Sequence, residues 1–229
     1  MKQILVASLL ICCTAVTNLS RTNAASLQQD EANVVFTWGF GAIVGPPEDR
    51  RFVPVTRDTI MMTGDSLKML LALKKECFVY VIHQSPTGEV QLLFPYDLKQ
   101  FTSDYAVGKN YYIPKGRAWY WLDKNVGRES FYLLASKQRL TKLESLVADY
   151  MVAKGTKKMD MAKDVVAEIR SEKKRHKSFA TLAERPINIG GNVRGTLGER
   201  GGQLPDVADI SSEISAQNFY SKTVTIEHQ

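Results

Sequence analysis

GDSLKMLLALKKECFVYVIHQSPTGEVQLLFP, residues 64–95, decides the fold. Leu67, Met69, Leu71 and Leu73 fall on alternate positions, and alternate positions of an extended chain share one face. A second apolar run, Cys77 to His83, and a third, Val90 to Phe94, are joined by Gln84-Ser85-Pro86-Thr87-Gly88. Two such runs linked by a Pro- and Gly-containing loop predict a β-hairpin. Gly64-Asp65 predicts a turn ahead of the first run, and Pro95 ends the third.

The same pattern extends in both directions. On the N-terminal side Val34, Phe36, Trp38, Phe40, Ala42 and Val44 alternate with Thr37, Gly39 and Gly41, the signature of a half-buried strand, and Gly45-Pro46-Pro47-Glu48-Asp49 stops it. Phe52 to Val55 reads as an edge piece, because Pro54 has no N–H to give a central ladder. On the C-terminal side Tyr111 to Ile113, Trp119 to Leu122 and Ser130 to Leu134 are short β runs separated by turn residues. No helical segment interrupts this series, which predicts antiparallel sheet rather than βαβ units. A sandwich or small barrel is expected over residues 34–140.

At Thr141 the period changes. Thr141 and Glu144 fit a capping box, and Leu143, Leu146, Val147, Tyr150 and Met151 mark one helical face. Gly155 breaks it, and a second helix is expected over about 157–177 with Ala162, Val165, Val166 and Ile169 on its stripe. Residues 178–222, with six glycines between Gly190 and Gly202, read as a Gly-rich loop region, and 223–227 as a closing strand. The expected class is mainly β with an α-helical C-terminal segment, α+β, built on an antiparallel β-sandwich-like domain.

The remaining stretch is the start of the chain. Lys2, the apolar run Ile4 to Val16 and the small residues Ala24-Ala25-Ser26 have the layout of a secretory signal peptide, and the run is too short to span a bilayer. Cleavage after Ala24 removes residues 1–24 of 229 and leaves 205; Lys2 and Arg21 leave with them, lowering the charge from +6 to +4. Cys12 and Cys13 leave too, so Cys77 is the one remaining thiol and no internal disulfide can form. Lipid attachment at Cys12 or Cys13 is the rival reading, but Ile11 or Cys12, rather than a small residue, precedes the cysteine. With 44% hydrophobic and 24% charged residues the chain is of ordinary globular composition, which excludes collagen-like, coiled-coil-only and fully disordered classes.

The ordered set Gly64-Asp65, Cys77 to Val81, Gly88, Leu93-Phe94-Pro95, Tyr112-Ile113-Pro114, Gly127-Arg128-Glu129 and Leu134-Ala135-Ser136 resembles domain-of-unknown-function family 4384 over about residues 59–145. Phe78 replaces one aromatic residue of that family's strand core. The resemblance implies an exported all-β module, often found beside other domains, and brings no catalytic residues with it.

Candidate chemistry is sparse. Cys77 and His83 would suggest a thiolate and imidazole pair, but six residues of strand separate them by roughly 20 Å. His83, His176 and His228 lack metal-ligand spacing, and no calcium-loop pattern occurs. The glycines from 190 to 202 lack a phosphate-loop lysine and serine, though Arg194 and Arg200 could meet anions. Two surfaces stand out as candidate partner sites. One is aromatic, Trp119, Tyr120 and Trp121, with alternation placing the two tryptophans together as a carbohydrate or peptide platform. The other is basic, Lys173, Lys174, Arg175 and Lys177 at a helix end, suited to an anionic membrane or wall polymer; an exported chain meets little nucleic acid.

These observations lead to an expected exported, non-enzymatic binding or scaffolding module of the periplasm or cell envelope. It needs no cofactor and no metal, and its partner is an unnamed envelope protein or polymer. The alternative is a secreted hydrolase whose site is assembled from distant residues, such as Glu129 with Asp65 or Cys77.

Overall fold

The computed structural model describes residues 32–57, 59–176 and 204–229, together with the backbone of residues 183–186. In chain order its strands are β1 (Val34–Val44), β2 (Arg51–Pro54), β3 (Ile60–Met61), β4 (Ser66–Leu73), β5 (Phe78–Gln84), β6 (Val90–Phe94), β7 (Asn110–Ile113), β8 (Tyr120–Trp121), β9 (Gly127–Ser136), β10 (Ala183–Pro186), β11 (Ser212–Ala216) and β12 (Phe219–His228). The helices are α1 (Gln100–Ser103), α2 (Thr141–Val152) and α3 (Gly155–Arg175), and a 3-10 turn covers Val207–Ile210.

The strands form two sheets. The first runs β10-β11-β1-β4-β7, with β2 also on β1 and β8 also on β4; the second runs β3-β12-β9-β5-β6. Every pairing is antiparallel apart from β3 on β12. Alternation explains the layers. Phe36, Phe40, Leu67, Met69 and Leu71 of the first sheet meet Val79, Val81, Phe131, Leu133, Val224 and Ile226 of the second in one buried core. Residues of the opposite parity, Tyr80, Ile82, Tyr132 and Leu134, pack under Leu143, Val147 and Tyr150 of α2 and Val165, Val166 and Ile169 of α3. The outer side of the first sheet buries Ile43, Phe52 and Leu70 against Val207. The molecule is thus mainly β and α+β, with two stacked open sheets and no closed barrel. Among the described residues no helix is long and apolar enough to cross a membrane.

Several local expectations are corrected. β1 is covered on both sides, not half-buried, because Val207 and Phe52 close onto its outer face. Glycine makes that approach possible: a Cβ at Gly39 would lie 2.7 Å from the Val207 carbonyl oxygen, and one at Gly41 2.5 Å from the Phe52 ring. The helical segment is not C-terminal, since β10, β11 and β12 follow it. The stretch 178–222 is not simply loop: it contributes β10, β11, the 3-10 turn and the start of β12. Ser212–Ala216 has only Ile214 and Ala216 buried, too faint an apolar signal to mark a strand. Lys177 and the six glycines lie outside the described residues. The closing strand spans ten residues rather than five and sits inside its sheet, between β3 and β9.

The capping box at Thr141 and Glu144 does not form. Leu140 occupies the N-cap position without a side-chain cap, and the Glu144 carboxylate is drawn away by Tyr80 and Arg139. The Tyr80 hydroxyl donates to Glu144 Oε1 at 2.6 Å and accepts from the Leu140 N–H at 3.0 Å, so one sheet residue ties down the start of α2. Burial and the neighbouring carboxylate hold that phenol well above the usual tyrosine range.

Candidate functional site

A cleft of about 600 Å³ opens on the outer side of the first sheet, lined by Lys68, Tyr112, Arg117, Trp119 and the segment Leu204-Pro205-Asp206. Lys68 and Tyr112 face it because their neighbours Leu67, Met69, Tyr111 and Ile113 take the inward parity of β4 and β7. Trp119 stands just before β8 and meets the edge of Phe52 at 6.3 Å. The loop 114–119 therefore forms one wall and the segment 204–206 forms the other.

The polar groups of the cleft are already ordered. The Lys68 amine donates to the carbonyls of Gly116 at 2.8 Å and Ala118 at 2.5 Å, and lies 5.5 Å from the Tyr112 ring and 5.7 Å from the Trp119 ring. Burial holds it below the ordinary lysine range, an effect that the Asp206 carboxylate partly offsets. Tyr112 donates to the Asp206 carboxylate at 3.1 Å, and Asp206 Oδ1 in turn accepts from the Ala208 N–H at 2.9 Å, capping the 3-10 turn. Desolvation and that carboxylate raise the Tyr112 phenol. The result is two aromatic walls held by one amine, with Arg117 exposed at the rim. Such a site presents ring faces and oriented polar atoms to a ligand.

The aromatic triplet is thus divided. Tyr120 packs against the inter-sheet core, while Trp119 and Trp121 face outward as alternation requires. Only Trp119 lines the cleft; Trp121 is 64% exposed, with the Arg50 guanidinium 5.8 Å from its ring. The basic residues lie elsewhere, on α3 against the second sheet. Lys173 reaches Thr223 Oγ1 at 2.8 Å and burial lowers its pKa, while Arg175 is engaged by Glu172 at 2.6 Å and by Glu168 at 3.7 Å. Lys174 is exposed. The aromatic and basic surfaces accordingly belong to opposite sides of the sandwich.

A polar cluster that the linear sequence hides sits at one end of the inter-sheet core. His83 Nε2 donates to Glu129 Oε2 at 2.5 Å, and the ring stacks on Phe131 at 4.7 Å. On the other side His228 Nδ1 lies 3.8 Å from Glu129 Oε1. Thr63 donates its hydroxyl proton to the Asp123 carbonyl at 3.0 Å, so its oxygen accepts from His228 Nε2–H at 3.1 Å. The signal was available: His83, Glu129 and His228 continue the inward parity of Val79-Val81, Phe131-Leu133 and Val224-Ile226. Joining them needed the register of three strands.

Cys77 and Asp65, the other residues considered for catalysis, are not brought to this cluster. Cys77 is buried and its thiol is pushed up to about 11 by desolvation, far from a ready nucleophile. Asp65 accepts from the N–H groups of Gly45 at 3.1 Å and Met62 at 2.8 Å, the role of a loop clasp. Neither residue, nor Glu129, lines the Trp119 cleft. Among the described residues no group of three or more His, Cys, Asp or Glu is arranged to hold a metal ion.

No curated protein and no solved structure matches the chain. Residues 61–139, from the end of β3 through β9 to the threshold of α2, match the family model described as "Domain of unknown function (DUF4384)".

Proposed function

We propose that the protein is an exported, non-enzymatic binding module of the cell envelope, working in the periplasm, that holds an envelope polymer or protein in the Trp119 cleft. The observation that carries this reading is the cleft itself: Trp119 and Tyr112 flank a lysine that two carbonyls hold by two of its three N–H donors, so the walls are ordered before any ligand arrives. Asp206 is committed to Tyr112 and to the turn that follows it, which favours recognition over acid-base work. Export rests on the layout of residues 1–26.

The test uses residues 25–229, which keep every described element, mixed with insoluble peptidoglycan sacculi. Co-sedimentation is expected, with Trp119→Ala weakening it by about tenfold, the range of a stacked ring of about 1.5 kcal/mol. Release of soluble sugar or peptide fragments from the sacculi would overturn the non-enzymatic reading, and undiminished binding by Trp119→Ala would overturn the assignment of the cleft. N-terminal sequencing of protein recovered from the envelope fraction is expected to begin at Ala25. A second reading, a secreted hydrolase assembled from distant residues, draws on the His83–Glu129–His228 cluster; it predicts fragment release that Glu129→Gln abolishes.

A further inference from the structure

The basic character of α3 has a second location. At its C-terminal end Lys173 and Arg175 are engaged by Thr223, Glu168 and Glu172, and Lys174 is exposed; at its start Lys154 and Lys157 are both exposed, with no carboxylate within ion-pairing distance among the described residues. Lys158 beside them lies 5.2 Å over the Tyr150 ring. No acidic residue occupies the first turn of α3, and no basic residue the last turn of α2. Cations at a helix start oppose the helix dipole, so their presence there does not serve the helix.

The same corner exposes apolar side chains. Met151 is 62% and Val152 78% exposed at the end of α2, and Met159 45% exposed in α3. A shallow groove of about 480 Å³ lies between Val152, Lys154, Lys157 and Met161, with Asp149 its one carboxylate. Apolar tips ringed by lysines match the interfacial layer of a membrane, where hydrocarbon meets phosphate headgroups.

We infer that the α2–α3 corner docks on an anionic bilayer surface, Met151 and Val152 entering the headgroup layer while Lys154, Lys157 and Lys158 face the lipid phosphates. The contact is peripheral and independent of the Trp119 cleft, which belongs to the opposite side of the sandwich.

The experiment is vesicle co-sedimentation of residues 25–229, which lack the apolar leader that would itself seek lipid. Binding is expected to vesicles of equal phosphatidylglycerol and phosphatidylcholine, not to phosphatidylcholine alone. It should weaken as salt rises from about 0.1 M to 1 M and the screening length shrinks from about 10 Å to about 3 Å. Lys154→Glu with Lys157→Glu should reduce binding by about tenfold or more, and Met151→Ser with Val152→Ser should also reduce it. All four positions are exposed, so circular dichroism should remain that of the parent. Trp119→Ala should leave vesicle binding intact. The proposal is overturned if vesicles of both compositions bind alike, if neither double variant weakens binding, if Trp119→Ala abolishes it, or if these lysines govern binding to sacculi while vesicles are ignored.

Discussion

Lys68 occupies an outward position of a strand whose other side is core, and everything that shapes its chemistry comes from far along the chain: Tyr112, Gly116, Ala118, Trp119 and Asp206. Period two places Lys68 opposite Leu67 and Met69, but nothing local says that this outward face is covered, so the cleft was not legible in the strand that founds it. Because folding lowers the pKa of the amine, the unfolded chain holds the proton more tightly in the interval below 10.5. The contribution of Lys68 to stability therefore rises with pH through that interval. Lys68→Met should flatten the rise, read as the difference in urea midpoint between the two chains from about pH 8 to pH 10. The raised tyrosines Tyr80 and Tyr105 act in the opposite sense above pH 10, equally in both chains, and cancel in the comparison. Cys77 gives a second residue-scale prediction. With its thiol near 11 and buried, residues 25–229 should resist alkylation at about pH 8 and react once unfolded in urea, as intact mass would record. A native chain labelled at the rate of the unfolded one would contradict the packing described.

The strands themselves were readable because their apolar residues alternate, and β4, β5, β6 and the two long helices fall close to the expected spans. What escaped were elements defined by partners rather than by pattern. β11 is held by β1, through Val34 opposite Ala216 and Phe36 opposite Ile214, and its own residues are mostly small or polar. β3 has two residues and exists by pairing with the end of β12. The His83–Glu129–His228 cluster arises in the same way, from three strands ending in polar residues on their inward side. Glu129→Ala should leave the two histidines facing a void at the core's edge and cost about 3 kcal/mol. Glu129→Gln, which retains an acceptor for His83, should cost less, both measured by urea unfolding. The outer side of β1 offers a sharper case: Gly39→Ala presses a methyl against a backbone carbonyl that cannot swing away, for a loss of about 1–3 kcal/mol. An unchanged midpoint for Gly39→Ala would mean that the 3-10 turn does not close on β1.

At the scale of the whole molecule, the family match and the folded unit have different limits. Residues 61–139 contain β4 without β1, β9 without β12, and the outer face of the second sheet without α2 and α3. Expressed alone, that segment should show no cooperative urea transition by circular dichroism, whereas residues 25–229 should unfold in one; a cooperative fragment would show that the matched stretch is self-sufficient. The position of β12 carries a consequence in time. It lies between β3 and β9, formed by residues 219–228, so β9 keeps one unpaired edge and β3 has no neighbour until residue 228 has been made. At about 5–20 residues per second, the β5–β6 hairpin, complete at Phe94, waits about 7–27 s for that strand. During that wait the edge of β9 that β12 will cover is bare backbone, which a chaperone can hold.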